Sequence, residues 1–237
     1  MSRLETSTRL AVRLIVVSAA AVISLGCGGK HYLANYQFAD KTMALVYIEP
    51  PAPQLLHGWY NLNLGDNAVQ TAVRAGAGVA KDVEARRASA KLDSAVLRVD
   101  VASKLAQRTL ERASRYLGTR PVVTPDGSDF VLEIQMRRFG IDARSTHAVY
   151  LYTRAEAVLI ERRTGREIWS EEVQGSTRLT PYVIGTRNVP SAIFTAATLH
   201  TVTVDDFAEA LDQLVTYTSN LITSELREKL RDVRDPD

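Results

Sequence analysis

The amino-acid sequence predicts an α+β fold in which helices pack on one face of a sheet that contains an antiparallel meander. In the second half of the chain, three successive segments alternate apolar and polar residues with a period of two, as half-buried strands do: residues 130–137, 149–160 and 167–173. Long segments before and after them place apolar residues three and four positions apart, which is typical of one helix face. With an earlier strand, the predicted order is one strand, a helix pair, an antiparallel three-strand meander and a C-terminal helix.

Composition supports a globular body and excludes several classes of protein. The chain has 237 residues, of which 46% are apolar and 24% charged, with a single cysteine. This apolar content is too high for a disordered chain, and one cysteine cannot build a disulfide framework. The formal net charge is +2, but beyond residue 26 basic and acidic residues are equal in number. Balanced charge gives no reason to expect nucleic acid as a partner.

The first element of the body is a short strand over residues 43–48. This run is almost continuously apolar and leads into a segment with three prolines, which favours a buried strand over a helix. Residues 50–65 are predicted to form a loop, with Trp59 and Tyr60 packing onto the body.

Two helices are predicted between this loop and the meander. Residues 67–91 carry a stripe of small residues that two glycines weaken, and residues 93–117 form a stronger amphipathic helix. Gly118 is expected to end the second helix in the left-handed conformation, and Pro121 prevents its continuation. The predicted core face of the second helix comprises Val99, Ala102, Ala106, Leu110, Ala113 and Leu117.

The meander and the last helix complete the body. A turn around Gly165, which tolerates a positive φ, joins the last two strands and makes them antiparallel. Residues 175–204 show no regular pattern, and a stretch of this length is either mobile or functional. The C-terminal helix is predicted to begin at Thr203 or Asp205, with a core face of Phe207, Leu211, Leu214, Thr218, Leu221, Ile222 and Leu230.

The beginning of the chain has the parts of a secretory signal peptide. Three arginines precede a twelve-residue apolar run, Leu14 to Leu25, which small residues follow. A helix of twelve residues reaches only ~18 Å, against a hydrocarbon core of roughly 30 Å, so a stable membrane span is not expected. The only cysteine of the chain, Cys27, comes directly after Gly26 at the end of this run.

The segment Ser24-Leu25-Gly26-Cys27 resembles the lipobox of bacterial lipoproteins, in which signal peptidase II cleaves before a cysteine that carries diacylglycerol. The resemblance implies that residues 1–26 are a signal peptide, that Cys27 is the lipid attachment site for acyl chains such as palmitate, and that residues 27–42 are a tether. Gly28, rather than Asp, follows the cysteine, which in Gram-negative lipoproteins favours the outer membrane. A peptidase I cut near the same place and an uncleaved anchor are the alternatives.

The order of elements over residues 43–233 resembles small periplasmic α+β lipoproteins. These are the ABC-type transport auxiliary lipoproteins, the lipopolysaccharide-assembly lipoprotein and the amino-terminal domains related to TolB and the curli secretion lipoprotein. The most recognisable local piece is the predicted hairpin over residues 159–169, which specifies no activity. Residues 43–237 are therefore expected to form a single periplasmic domain, with a helical insertion at about 67–91 that has no counterpart in those families.

Catalytic, cofactor and metal motifs are not found in the sequence. The four histidines lie far apart, with no metal-ligand spacing among them: His31, His57, His147 and His200. Gly76 and Gly78 lie within a helical stripe rather than after a strand, so close helix packing explains them better than a phosphate loop. The carboxylate pairs Asp93 with Asp100 and Glu171 with Glu172 are explained by helix caps and solvated strand faces.

The leading hypothesis is a lipid-anchored, non-enzymatic envelope protein that faces the periplasm, held in the outer membrane by its acyl chains. It would act with an envelope protein partner as an accessory or assembly subunit of a transport or outer-membrane machine. An alternative is a periplasmic carrier of lipid or another hydrophobic ligand, which predicts an apolar cavity between helices and sheet. A third is an enzyme whose site is assembled from scattered residues.

Overall fold

A computed structural model describes residues 32–56, 83–84, 86–142, 149–179 and 200–234. It confirms the α+β fold, with helices packed on a mixed sheet that has six strands in the described part of the chain. The strands are β1 (Thr42–Ile48), β2 (Gln54–Leu56), β3 (Arg120–Val122), β4 (Phe130–Asp142), β5 (Val149–Glu161) and β6 (Arg166–Leu179). The helices are α1 (residues 86–96), α2 (Val101–Leu117) and α3 (Val204–Arg234), with a short 3-10 turn at Leu33–Asn35.

The sheet has the strand order β3-β1-β4-β5-β6, and β2 pairs with the far end of β4. The predicted meander is confirmed, since β4, β5 and β6 are antiparallel neighbours. β1 lies parallel to both β4 and β3. The prediction of a loop over residues 50–65 is wrong at residues 54–56, where β2 pairs with Gly140, Ile141 and Asp142 of β4. Three residues are too few to show a period, so the sequence carries no signal for this strand.

Alternate residues of β5 show why the helices cover only one face of the sheet. Val149, Leu151, Thr153, Ala155, Ala157 and Leu159 are buried, while the residues between them are half-exposed. The buried face of the sheet contacts α2 through β1 and β4, and α3 through β5 and β6. We call this the inner face, and the opposite one the outer face. Core residues also come from the predicted tether, because Leu33 and Phe38 are 1% and 3% exposed. Residues 33 and 38 therefore belong to the core of the body.

The boundary between the first two helices lies further along the chain than predicted. α1 continues to residue 96, a turn follows, and the Asp100 carboxylate accepts a hydrogen bond of 3.0 Å from the Ser103 amide at the start of α2. This cap fixes the start of α2 and corrects the predicted start at residue 93. The predicted left-handed stop is confirmed by Gly118, whose φ is 74°. Of the predicted helix over 67–91, residues 83–84 and 86–91 are described and helical; the remainder lies outside the described residues.

α3 begins with a reciprocal cap. The Thr203 hydroxyl accepts a 3.1 Å hydrogen bond from the Asp206 amide, and the Asp206 carboxylate accepts one of 2.8 Å from the Thr203 amide. The Thr203 hydroxyl also donates a hydrogen bond of 2.7 Å to this carboxylate, and that bond first, followed by the one from the Thr203 amide, holds the pKa of Asp206 below its usual value. The predicted start of the last helix is therefore confirmed. The predicted irregular stretch over 175–204 is wrong at 175–179, which continue β6, while residues 180–199 lie outside the described residues.

An ion pair joins the exposed edges of α2 and α3. The Arg108 guanidinium donates two hydrogen bonds of 3.0 Å to the carboxylate oxygens of Asp212, and Lys104 donates a third of 3.1 Å. Partial burial raises the pKa of Asp212, but the bonds from Arg108 and Lys104 outweigh it, so the pKa lies below its usual value.

Candidate functional site

The outer face of the sheet gathers polar side chains from three neighbouring strands. It is formed by the residues of β4, β5 and β6 that alternate with the core residues. On β5 these include Tyr152, Arg154 and Glu156, and on β6 they include Glu172, Gln174 and Ser176. No described helix packs on this face, which explains why its side chains are half-exposed or exposed.

A β-bulge in β4 decides which β4 side chains join this face. Up to Met136 the even-numbered residues of β4 face the core, and from Phe139 the odd-numbered ones do. The register with β5 shifts between Met136 and Arg138, so Arg137 is the extra residue. As a result Arg137 and Arg138 are both exposed. Without the extra residue, the alternation would direct Arg138 into the core.

A groove of about 360 Å³ crosses the outer face beyond the bulge. Its lining combines cationic, amide and hydroxyl groups with one carboxylate: Gln54, Leu56, Arg138, Asp142, Tyr152, Thr153, Arg154, Gln174, Gly175 and Ser176. β2 forms one side of it. That strand approaches β4 so closely that a Cβ on Gly140 would lie 1.8 Å from the Gln54 carbonyl oxygen. Only glycine at position 140 allows this side of the groove to form.

On the outer face, two arginines pair with glutamates and a third has no such partner among the described residues. The Arg137 guanidinium donates a hydrogen bond of 2.9 Å from Nε to Glu156, and Arg154 donates one of 2.6 Å to Glu172. The hydrogen bond and charge of Glu172 raise the pKa of Arg154. Arg138 lies directly opposite Arg154 in the β4–β5 register. Among the residues that the structure describes, none accepts a hydrogen bond from the Arg138 guanidinium or forms an ion pair with it.

A second cavity, of about 270 Å³, lies where the end of β6 meets the start of α3. Its lining includes Arg178, Val202, Asp206 and Glu209. The Asp206 carboxylate is already used by the helix cap, and Arg178 has an interaction of its own. This cavity follows from the way α3 begins beside the sheet.

The residues considered as sites from the sequence are not brought together in the described structure. Cys27, the predicted lipid attachment site, lies outside the described residues, as do His31, His57 and His147. His200 is exposed, with Nδ1 3.2 Å from a carboxylate oxygen of Glu84. Within the described ranges, no three His, Cys, Asp or Glu side chains are grouped as metal ligands.

The carboxylate pairs from the sequence have structural roles where the structure shows a contact. Asp100 caps α2, and Glu172 pairs with Arg154 on the outer face. The sequence did not lead to a prediction of the groove or of its unpaired arginine. A signal was present, because Arg138 stands where the period of β4 requires an apolar residue. A charged residue at a core position is a mark of a register change.

Comparisons with known proteins give no family for this chain. No protein-family model matches it, and no curated protein does. Among solved structures, XCC0632 of Xanthomonas campestris is 15% identical over 81% of this chain and 90% of its own, with a TM-score of 0.32. The PelC dodecamer of Paraburkholderia phytofirmans is 8% identical over 74% and 91%, with a TM-score of 0.27. Lipoprotein GNA1162 of Neisseria meningitidis is 17% identical over 78% and 99%, with a TM-score of 0.24.

At such identities and TM-scores these likenesses carry no argument about function. None of the helices in the described part of the chain combines the length and apolar character that crossing a membrane requires.

Proposed function

We propose that this protein is a lipid-anchored, non-enzymatic envelope protein that faces the periplasm from the outer membrane. It acts as an accessory or assembly subunit of a transport or outer-membrane machine. The observation that carries the proposal is the position of the sole cysteine, Cys27, directly after Gly26 at the end of the apolar run that begins at Leu14.

The energetics of acylation support anchoring at this position. Each buried methylene of an acyl chain contributes about 0.8 kcal/mol, so several chains on one cysteine hold a protein far more firmly than a single chain does. The body beyond residue 26 has balanced charge, which provides no electrostatic attraction to a membrane surface. Acyl chains on Cys27 would therefore supply most of the membrane affinity.

The packing of the described body favours binding at its surface over carriage of a ligand inside. The layer between helices and sheet, where the carrier hypothesis expects a cavity, contains the fully buried side chains of Trp169, Phe207 and Leu159. α3 approaches the sheet so closely at Gly175 that a single added methyl group would collide with Thr218. The polar groups gathered on the outer face remain open to a partner.

The test of the anchor is Cys27→Ala in the full chain, followed by fractionation of cells and carbonate washing of the membranes. We expect the wild type in the outer-membrane fraction with an acylated cysteine by mass spectrometry, and the variant released from it. Ser7→Ala, which lies before the apolar run, is the matched control and should fractionate as the wild type. Unchanged partitioning of Cys27→Ala together with an unmodified thiol in the wild type would refute the proposal.

Two further measurements test the finer parts of the proposal. Because Gly28 occupies the sorting position, Gly28→Asp should move the protein from the outer-membrane to the inner-membrane fraction while leaving it acylated. The accessory role requires a partner, so cross-linking in cells and purification in several mild detergents should recover a defined envelope protein. Recovery as a lone monomer under all these conditions would contradict that role.

A further inference from the structure

We infer that the groove on the outer face of the sheet is an anion site that binds a phosphate group through Arg138 and Arg154. The first argument is the register of the two strands, which places these arginines directly opposite one another. The Cβ atoms of such a pair lie about 5 Å apart, and like charges at this separation destabilise a sheet. An anion bound between the two guanidinium groups attracts both of them and so offsets their repulsion.

The second argument is the pattern of charge pairing around them. Glu156 lies opposite Glu172 in the β5–β6 register, which is also a pair of like charges. Each of these carboxylates, however, has an arginine of its own, Arg137 and Arg154 respectively. Arg138 lies beside these two ion pairs as a cation with no partner among the described residues. Among these three arginines, Arg138 is therefore the one without a carboxylate partner in the described part of the chain, and it lies within the groove.

The third argument is the bulge. An extra residue in β4 disrupts the ladder of hydrogen bonds locally, and bulges are common where a side chain has to be re-aimed. Here the bulge directs Arg138 to the outer face and restores Phe139 to the core. A regular strand would direct Arg138 into the core and turn Phe139 and Ile141 out of it, so the bulge both exposes the arginine and keeps the apolar residues buried.

The chemistry of the lining fits a phosphate group. The unpaired Arg138 guanidinium can donate two parallel hydrogen bonds to a phosphate, and Arg154, which is paired with Glu172, has five N–H donors and so keeps some for the same anion. The Gln174 amide and the Ser176 hydroxyl line the same groove and supply neutral donors. Asp142 also lines it and has an interaction of its own, so the described part of the lining holds two guanidinium groups, of which Arg154 is paired with Glu172, and one carboxylate that is already engaged.

The experiment uses the full chain in a mild uncharged detergent at constant ionic strength set with chloride. Binding of inorganic phosphate and of dioctanoyl phosphatidic acid is measured by isothermal titration calorimetry and by the shift of the thermal midpoint. We expect Arg138→Gln to weaken binding at least about tenfold, the loss of one charge-assisted bidentate contact. Arg137→Gln is the matched control, since it removes the same charge one residue away and outside the groove lining. It should bind as the wild type.

The outcomes separate the sources of the phosphate group and keep the proposal falsifiable. Binding of inorganic phosphate that Arg138→Gln loses supports the site with free phosphate as its ligand. Binding of the short-chain lipid alone, lost in the same variant, supports the site with a lipid headgroup as the source. Absence of binding of either compound, or equal weakening by Arg137→Gln, would overturn it. Without ligand, Arg138→Gln should have a thermal midpoint at least as high as the wild type, which excludes misfolding as the cause.

Discussion

Gly175→Ala should show how closely α3 is packed against the sheet. Gly175 is buried on the inner face of β6, and a Cβ there would lie 2.6 Å from Thr218 Oγ1 and 3.4 Å from Thr153 Cγ2. The Thr218 hydroxyl is fully buried and donates to the Leu214 carbonyl at 2.8 Å, so it has little freedom to turn away. To restore ordinary contact, α3 has to move away from β6 by about 0.8 Å.

The expected cost follows from this displacement. Forcing one extra methyl group into a well-packed core costs typically 1–3 kcal/mol, because neighbouring side chains or backbone must shift. Replacing glycine by alanine recovers about 0.4–1 kcal/mol by restricting the unfolded chain. We therefore expect Gly175→Ala to lower the free energy of unfolding by about 1–2 kcal/mol, although alanine suits a strand better than glycine does.

The assay is urea unfolding of the full chain in mild detergent, followed by tryptophan fluorescence, to which the buried Trp169 contributes. Combining Gly175→Ala with Thr218→Ala removes the colliding oxygen, so the double variant should be more stable than the sum of the single effects predicts. Ser176→Ala, exposed on the opposite face of the same strand, is the control and should be neutral. If the loss of stability in the double variant equals the sum of the losses in Gly175→Ala and Thr218→Ala to within about 0.5 kcal/mol, the close approach of α3 and β6 is refuted.

Three other changes test the described contacts. Gly140→Ala would place a Cβ 1.8 Å from the Gln54 carbonyl oxygen, so β2 should detach and hydrogen exchange should speed up at residues 54–56. Thr203→Ala should cost about 1 kcal/mol at neutral pH. The cap depresses the pKa of Asp206, so its stabilising effect is lost when that carboxylate is protonated. In urea titrations, the difference in free energy of unfolding between Thr203→Ala and the wild type should therefore narrow as pH falls below about 4. A difference in free energy that does not depend on pH would contradict this. Asp212→Asn should cost about 1 kcal/mol at low salt and less at high salt, since the carboxylate is partly solvated; equal costs would exclude its ion pairs as the cause.

Some of these features could be predicted from the sequence because their signals are local. The period of two over residues 149–160 predicted β5, and the left-handed stop at Gly118 was predicted from glycine alone. The end of α1 was predicted too early because helix ends vary by one or two residues and carry a weaker signal than a cap such as Asp100, which marks where α2 begins. β2 was missed because its pairing is with residues more than eighty positions away.

The candidate groove could be predicted only in part, for the same reason. Two adjacent arginines at the end of a regular strand pattern signal a change of register, but they do not say which residue lies opposite. That Arg138 faces Arg154 depends on the pairing of β4 with β5, and that Glu172 is already engaged depends on β6. Charge balance on a sheet face is a property of three strands together.

The sequence by itself determined the fold class, the amphipathic helices and the strands of the meander, and it predicts an anchor at Cys27, because each depends on residues close together along the chain. The tertiary structure decided the parallel partners of β1 and β4, the close approach of α3 at Gly175 and the row of charges on the outer face. These depend on atoms that meet only after distant segments pair, since the register of a strand is set by its neighbours rather than by its own residues.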